Sequence, residues 1–251
     1  MDTIKNDMAN YWSRRAENFS RLRQREFASE KHEQWLAELD RYLPRGRKLD
    51  ILDIGTGTGF FAFLLAERGH HVTGIDLTPD MIREAKKTAE RIGISPDFCI
   101  MGGEAPDFPP RSFEAIVTRK LTWALPDLPR TFRNWHRLLK PGGIFINFDA
   151  NWYRYLYDAQ AETGHHSDRE NVRAAGAADD TAGTDVAAVE AIARQAPLSR
   201  RRRPQWDQDV LGRLGMRVSA DTEVWKQVWT RDEWINNAST PMFLIAASKP
   251  A

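Results

Sequence analysis

Leu49-Asp50-Ile51-Leu52-Asp53-Ile54-Gly55-Thr56-Gly57-Thr58-Gly59-Phe60 decides how this chain folds. A short apolar run closes on an acid, glycines then alternate with threonines, and Phe60-Phe61-Ala62-Phe63-Leu64-Leu65-Ala66 begins a helix. Strand, tight glycine turn and helix in that order open a parallel α/β sheet whose first turn receives a ligand. Glycines suit such a turn because a Cβ would collide with a molecule bound against the backbone.

The spacing separates possible ligands. A dinucleotide fingerprint, G-x-G-x-x-G, would put its last glycine at position 60, where the chain has Phe60; the glycine falls one place early, at Gly59. A second strand-like run, Val72-Thr73-Gly74-Ile75-Asp76, also ends in an acid, at roughly the distance expected of a ribose-binding carboxylate. With D-x-G-x-G-x-G before it, this pattern resembles the class I S-adenosylmethionine-dependent methyltransferases, from about Tyr11 to Gly143 and more loosely beyond. The resemblance implies an α/β fold: a Rossmann-like, seven-stranded, mostly parallel sheet with helices on both faces, plus a helical lid inserted after strand five. It also implies S-adenosyl-L-methionine as cofactor, with S-adenosyl-L-homocysteine as product.

Composition is compatible with that expectation. A chain of 251 residues accommodates one large α/β domain and a subdomain. The net charge of +1 comes from interspersed signs, so no global field draws the chain to nucleic acid or a membrane. Cys99 is the single cysteine, which excludes an internal disulfide, and it reads as a small residue of a buried strand. Residues 1–10 are polar without the apolar run of a signal peptide, and no stretch approaches the ~18 apolar residues of a membrane span. The expectation is a cytoplasmic protein, monomeric or homodimeric, acting on a small molecule.

Along the chain, residues 1–45 are expected to form a helical cap over the cofactor site and 46–150 the cofactor-binding core. Residues 151–204 would be the lid on the substrate side, and 205–251 the rest of the core sheet. Phe27, Trp35, Leu36, Leu39 and Leu43 have helical spacing, predicting a helix over 26–42 that Pro44 and Gly46 end. Strands are predicted at 50–54, 71–75, 98–101, 113–118 and 144–148. Helices are predicted at 79–92, with proline in its first turn, and at 128–139. Lys140-Pro141-Gly142-Gly143 reads as a helix stop and turn. After an aromatic run at 149–157, the alanine-rich 159–196 lacks a strong period and reads as helices of an insertion rather than core. Arg200-Arg201-Arg202-Arg203 reads as a solvated loop or helix end rather than a nucleic-acid patch. A helix over 206–215, a strand over 217–224 and an antiparallel last strand over 242–248 complete the sheet.

The resemblance assigns the cofactor site residue by residue. Asp53 would hold the methionyl amino group, directly or through water, and Gly55, Gly57 and Gly59 would give close backbone approach. Asp76 would take both ribose hydroxyls, since a carboxylate has the acceptors for two donors, with Leu77 beside it. Met81, Glu104 and Ala105 would frame adenine, Glu104 standing where the family more often has aspartate. Tyr11 would reach the methionyl carboxylate, and Arg119 would lie under the methionyl group with its guanidinium on that carboxylate. On the substrate side the candidates are Trp12, Trp123, Asn151, Trp152, Tyr153 and Trp206, whose rings suit a flat or cationic group.

Methyl transfer from a sulfonium is an in-line displacement in which alignment carries much of the rate, so a base is needed only for a protonated nucleophile. The sequence therefore names no catalytic residue firmly; Trp123, Asp149 and His165 are the candidates. His165-His166 lacks the Cys/His/Asp company of a metal site, so no metal is expected. The expected function is methyl transfer to N, O or S of a small planar or cationic metabolite. An RNA or protein methyltransferase is an alternative, but Thr118-Arg119-Lys120-Leu121 stands where nucleobase amino methylases carry Asn/Asp-Pro-Pro-Tyr. The other is a homologue that binds the cofactor without transferring methyl. A nicotinamide dehydrogenase is disfavoured by Gly59-Phe60, and arsenic methylation through a cysteine cluster is excluded by having Cys99 alone.

Overall fold

The computed structural model describes residues 2–251. Two helices, α1 (Asp2–Phe27) and α2 (Lys31–Asp40), precede β1 (Asp50–Ile54), α3 (Phe60–Glu67), β2 (His71–Asp76), α4 (Pro79–Ile92), β3 (Asp97–Ile100) and β4 (Phe113–Arg119). Then come α5 (Leu128–Leu138), β5 (Leu139–Asp149), α6 (Ala159–Ala175), α7 (Val186–Gln195), α8 (Gln205–Arg213), β6 (Arg217–Asp221), α9 (Trp225–Val228), α10 (Arg231–Asn237) and β7 (Phe243–Ser248). One seven-stranded sheet has the order β3-β2-β1-β4-β5-β7-β6. Strands β1 to β5 pair in parallel, and β7 runs antiparallel to both β5 and β6.

Central strands read as near-continuous apolar runs because both of their faces are covered. Ile51 looks to one side with Phe148 and Leu244, under Trp35, Leu36 and Leu39 of α2 and Phe61 and Leu64 of α3. Leu52 and Ile54 look to the other, with Phe145 and Ile245, under Phe132 and Trp135 of α5 and Leu211 of α8. Burying each such large side chain stabilises the fold by about 1.5–3 kcal/mol. The helix ends follow local chemistry: Pro79 opens α4 and Gly93, at φ 72°, closes it. Asp127 and Asp185 cap α5 and α7 by accepting from Arg130 N and Ala188 N.

Several expectations are corrected. The single helix over 26–42 is instead the end of α1 and a separate α2. The break falls at Ser29, whose hydroxyl donates to Glu26 O at 2.7 Å and competes with the helical ladder. Cys99 is exposed, because β3 is an edge strand on which only Phe98 turns inward. The strand expected over 217–224 ends at Asp221, and Val224, fully buried, leads into α9; neither α9 nor α10 was expected. The alanine-rich segment is not wholly outside a core: Val189, Ile192 and Ala193 of α7 pack with Ile4 and Tyr11 of α1 and with Trp123. Arg203, last of the arginine run, is 4% exposed and hence no part of a solvated face.

Candidate functional site

In sheet order the direction of progression reverses between β1 and β4, which makes the space beyond their carboxyl ends the expected place for a ligand. A cavity of about 2080 Å³ lies there. Single small-ligand sites run to roughly 300–1,000 Å³, so this one has room for two molecules side by side.

Over the β1–β3 side, Gly55, Gly57, Asp76, Leu77, Met81, Gly102, Gly103, Glu104 and Ala105 line it. Gly55 and Gly57 hold φ of 70° and 54°, the left-handed region that glycine enters without strain. Asp76 fixes the turn: its Oδ2 accepts from Gly57 N at 3.0 Å and its Oδ1 from Thr78 N at 2.8 Å. Each oxygen keeps a further lone pair for a hydroxyl donor. Burial raises the Asp76 carboxyl above its ordinary value, against the pull of those two amides. Leu77, 38% exposed, and the open face of Gly102 offer apolar surface for a flat ring. The loop carrying Glu104 is held from α5, where Trp135 Nε1 donates to Gly103 O at 2.7 Å and Asn134 Nδ2 to Glu104 O at 2.9 Å. Lys5 of α1 meets Glu104 at 2.7 Å. An adenosine with both ribose hydroxyls free fits this donor set, so the residues present suit the cofactor that the resemblance implies.

Asp53 and Gly59 lie behind that surface. Asp53 is 2% exposed and accepts from Thr56 Oγ1 at 2.6 Å. Burial, opposed by the Thr56 hydrogen bond and aided by the Asp76 charge, pushes its carboxyl up to about 7. Gly59 caps α3 at φ 91°, where a Cβ would sit 2.6 Å from the Phe63 ring. Both shape the turn from beneath.

Over the β4–β5 side the lining turns aromatic and charged. Tyr11, Trp12 and Phe19 of α1 face Trp123, Trp152, Tyr153 and Tyr155. The Trp123 and Tyr153 ring centroids are 4.6 Å apart, and Trp123 Nε1 donates to Lys120 O at 3.0 Å. Burial pushes the Tyr153 phenol up and keeps it protonated. Tyr11 is 7% exposed, and its hydroxyl accepts from Arg15 Nη1 at 2.6 Å. His165 lines the cavity stacked on Tyr155, with centroids 3.9 Å apart, and burial lowers its proton affinity.

Arg119 lines the cavity, yet its guanidinium does not stand free for a carboxylate of the cofactor. Its Nη2 meets Glu26 Oε1 of α1 at 2.6 Å, and the group lies over the Trp35 ring at 4.3 Å. Burial alone would raise the Glu26 carboxyl; Arg119, Arg23 and Lys31 overcome it and hold Glu26 well below the usual carboxylate range.

Besides Asp53 and Gly59, three further sequence candidates fall outside the cavity. Asp149, fully buried, accepts from Thr122 Oγ1 (2.5 Å), Trp123 N (2.9 Å), Ala150 N (2.9 Å) and Trp152 Nε1 (2.6 Å), and pairs with Arg203 at 2.9 Å. Every acceptor position is occupied, so it anchors structure rather than reacting. Asn151 clasps the backbone of Arg203, donating to its carbonyl at 2.8 Å and accepting from its N–H at 3.1 Å. Trp206 packs on the opposite face of the sheet beside Leu211 and Phe145. The polar, aromatic residues after β5 looked alike in sequence, and only their hydrogen-bond partners separate them. Glu26, Tyr155 and Glu233 also line the cavity and were missed; Lys120, within the stretch 119–123 expected to face the reaction centre, lines it too but was given no role. For Lys120 a signal existed in its place directly after the predicted strand over 113–118.

Among the described residues no helix is long and apolar enough to cross a membrane, and no group of three or more His, Cys, Asp and Glu could hold a metal ion.

Residues 51–143 match the family model described as a methyltransferase domain. A ubiquinone biosynthesis O-methyltransferase from Coxiella burnetii is 32% identical over 109 residues, 43% of this chain and 47% of that protein. Phosphoethanolamine N-methyltransferase 1 from Arabidopsis thaliana is 36% identical over 100 residues, 39% of this chain and 20% of that protein. These matches span about half or less of the curated relatives' own length. Among solved structures, Haemonchus contortus phosphoethanolamine N-methyltransferase 2 in complex with S-adenosyl-L-methionine aligns over 87% of this chain and 53% of that one. Its TM-score is 0.61 at 18% identity, a likeness of fold.

Proposed function

From a core that belongs to the class I S-adenosylmethionine-dependent methyltransferases, we propose that the whole chain transfers a methyl group to N, O or S of a small planar metabolite. The observation that carries this reading is the two-sided cavity, with a nucleoside-like side over β1–β3 continuous with an aromatic side over β4–β5. The curated relatives are named for ubiquinone biosynthesis and for phosphoethanolamine, which supports a small acceptor here. The sequence also allowed a cationic acceptor. The lining favours planarity through its rings, since Trp12, Trp123, Trp152 and Tyr153 present flat apolar surface on the acceptor side.

S-adenosylmethionine, when bound, supplies a methyl carbon activated by its sulfonium. The chain's residues would do the rest. Asp76 would fix the ribose while holding the glycine turn, and Leu77, Met81, Glu104 and Ala105 would frame adenine. Tyr11 and the backbone of Gly55 and Gly57 would receive the methionyl end, with Asp53 beneath the turn and Gly59 starting α3. Trp123, Trp152 and Tyr153, with Trp12 above, would clamp a flat acceptor and exclude water, which favours the in-line geometry. In this reading residues 1–45 act as the cap, 46–150 as the cofactor core, 151–204 as the lid and 205–251 as the closing part of the sheet.

Calorimetric titration with S-adenosylhomocysteine tests the cofactor half. One site per chain with micromolar affinity is the expected result, followed by label transfer from methyl-labelled S-adenosylmethionine to flat phenols, heterocycles or thiols. Failure to bind at micromolar concentration would sink the proposal.

A further inference from the structure

Lys120 directly follows β4 at φ 55°, a left-handed conformation that a residue with a Cβ keeps only where its surroundings enforce it. Its N–H donates to Phe148 O at 2.7 Å and its carbonyl accepts from Trp123 Nε1 at 3.0 Å, so the backbone is fixed on both sides. The side chain enters the cavity, with Nζ 4.7 Å from the centroid of the Trp152 ring.

Several other cations of the cavity have carboxylate partners. Arg119, Arg23 and Lys31 converge on Glu26, Lys31 reaches Glu233 at 2.6 Å, and Arg169 meets Asp179 at 3.0 Å. Lys120 makes no ion pair and no side-chain hydrogen bond among the described residues; the Trp152 ring is its one polar-sensitive contact. Burial, reinforced by Arg23 and Arg119 and opposed by Glu233 and Asp180, pulls its amine down to about 8. A part-buried cation without a counterion is destabilised until an anion arrives.

We propose that Lys120 selects the methyl acceptor, its ammonium receiving an anionic oxygen group (carboxylate, phenolate or phosphate) of a flat molecule lodged against Trp152 and Tyr153. This rests on the methyltransferase reading and narrows it from any planar metabolite to a planar acid. An incoming anion pairs with Lys120 and raises its proton affinity, so the side chain stays charged at neutral pH in the loaded site. Arg23 and Arg119 stay engaged with Glu26, whereas the Lys120 ammonium has no carboxylate partner among the described residues to give up before it receives a ligand.

The test titrates the S-adenosylhomocysteine-loaded protein and its Lys120→Met and Lys120→Arg variants with benzoate and phenyl phosphate, and with benzamide as an uncharged control. Wild type should bind at least one acid at millimolar concentration. Lys120→Met should lose about 10- to 100-fold in that affinity, the worth of one charge-assisted hydrogen bond. Lys120→Arg should retain part of it, benzamide should be indifferent, and S-adenosylhomocysteine should bind all three proteins alike. Acids that bind Lys120→Met as well as wild type, or that bind neither, overturn the proposal. Should Lys120→Met fail to fold, the Lys120 amine can be titrated by NMR in isotopically labelled wild type, its signal assigned with Lys120→Arg. Its midpoint should rise on saturation with benzoate, and an unmoved midpoint again overturns the role. If S-adenosylhomocysteine itself does not bind, the methyltransferase reading fails, and the acid titrations of the unliganded protein still decide the part of Lys120.

Discussion

Asp53 and Asp76 are both strand-end acids, and the fold treats them oppositely. Asp76 faces the cavity with two amides on its oxygens, whereas Asp53 is turned inward onto Thr56. Burial raises Asp53 from 3.8 to about 7. A carboxyl whose folded value is raised contributes stability that is fully present below its unfolded value and is lost as pH rises through the folded value. An asparagine at this position has nothing to ionise. Thermal scans of Asp53→Asn against the parent should therefore show the variant gaining relative stability from about pH 4 to about pH 7, with a constant difference above about pH 8. A flat difference across that window would show that Asp53 does not titrate in it. Asp76→Ala should weaken S-adenosylhomocysteine binding by about 1.5–3 kcal/mol for each charge-assisted hydrogen bond lost, read by calorimetry. Unchanged affinity would show that Asp76 does not hold the ribose. The two acids were legible in sequence because strand-end position and glycine spacing are local. Their different partners were not, since the inward turn of Asp53 is set by a threonine hydroxyl three residues on, and spacing says nothing of rotamers.

The most consequential element is α1, and its weight rests on one carboxylate. Glu26 ends the helix among Arg119 from β4, Lys31 from α2, Arg23 one turn back and the Trp35 indole at 3.1 Å. Removing it leaves Arg119 as an uncompensated charge over Trp35 and Phe60. Glu26→Leu should then cost about 3–5 kcal/mol in denaturant unfolding. Adding Arg119→Met should restore a large part of that loss, because the buried pair can be replaced by apolar contacts more cheaply than it can be halved. Strictly additive losses in this cycle would show that the ion pair does not organise the junction. Sequence periodicity placed a helix across this very junction, since Phe27, Trp35 and Leu39 share a face. It could not see Ser29 stopping α1, nor that Glu26 and Arg119, far apart in sequence, meet. Strands β1 to β4 were found closely because apolar runs bounded by glycine and acid encode them directly, whereas β5 begins at Leu139 and takes in Lys140-Pro141-Gly142-Gly143, which the sequence reading gave to a turn.

At the scale of the whole molecule, α1 touches both sides of the cavity. Lys5 holds the loop of Glu104, Phe19 lies 3.4 Å from where a Gly57 Cβ would be, and Tyr11 packs with α7 and Trp123. The segment between β5 and β6 is tied down at several points, α6 to α10 through Arg169 and Asn236 and to Ser239 through Asp168. Arg203 bridges Asp149 and Asp207 with all three buried, and α7 rests on α1 through Val189, Ile192 and Ala193. Between α6 and α7 the chain is largely exposed and carries few buried contacts, the feature that gives low local stability. The strands of the sheet were readable from the chain, because apolar runs ending at glycine or an acid mark them, while the order in which they pair was not. The insertion's packing was not, because its apolar residues are few, small and spaced among alanines that fit either a core or a surface. This division predicts how protection from hydrogen exchange should change. S-adenosylhomocysteine alone should slow exchange in α1, at the glycine turn and across 102–105, because it fills the side those segments line. Residues 176–185 should stay fast until an acceptor acid is added as well, since they border only the acceptor side. Slowing of 176–185 by S-adenosylhomocysteine alone would mean that the two sides close as one body, and that α1, not the insertion, senses which molecule has arrived.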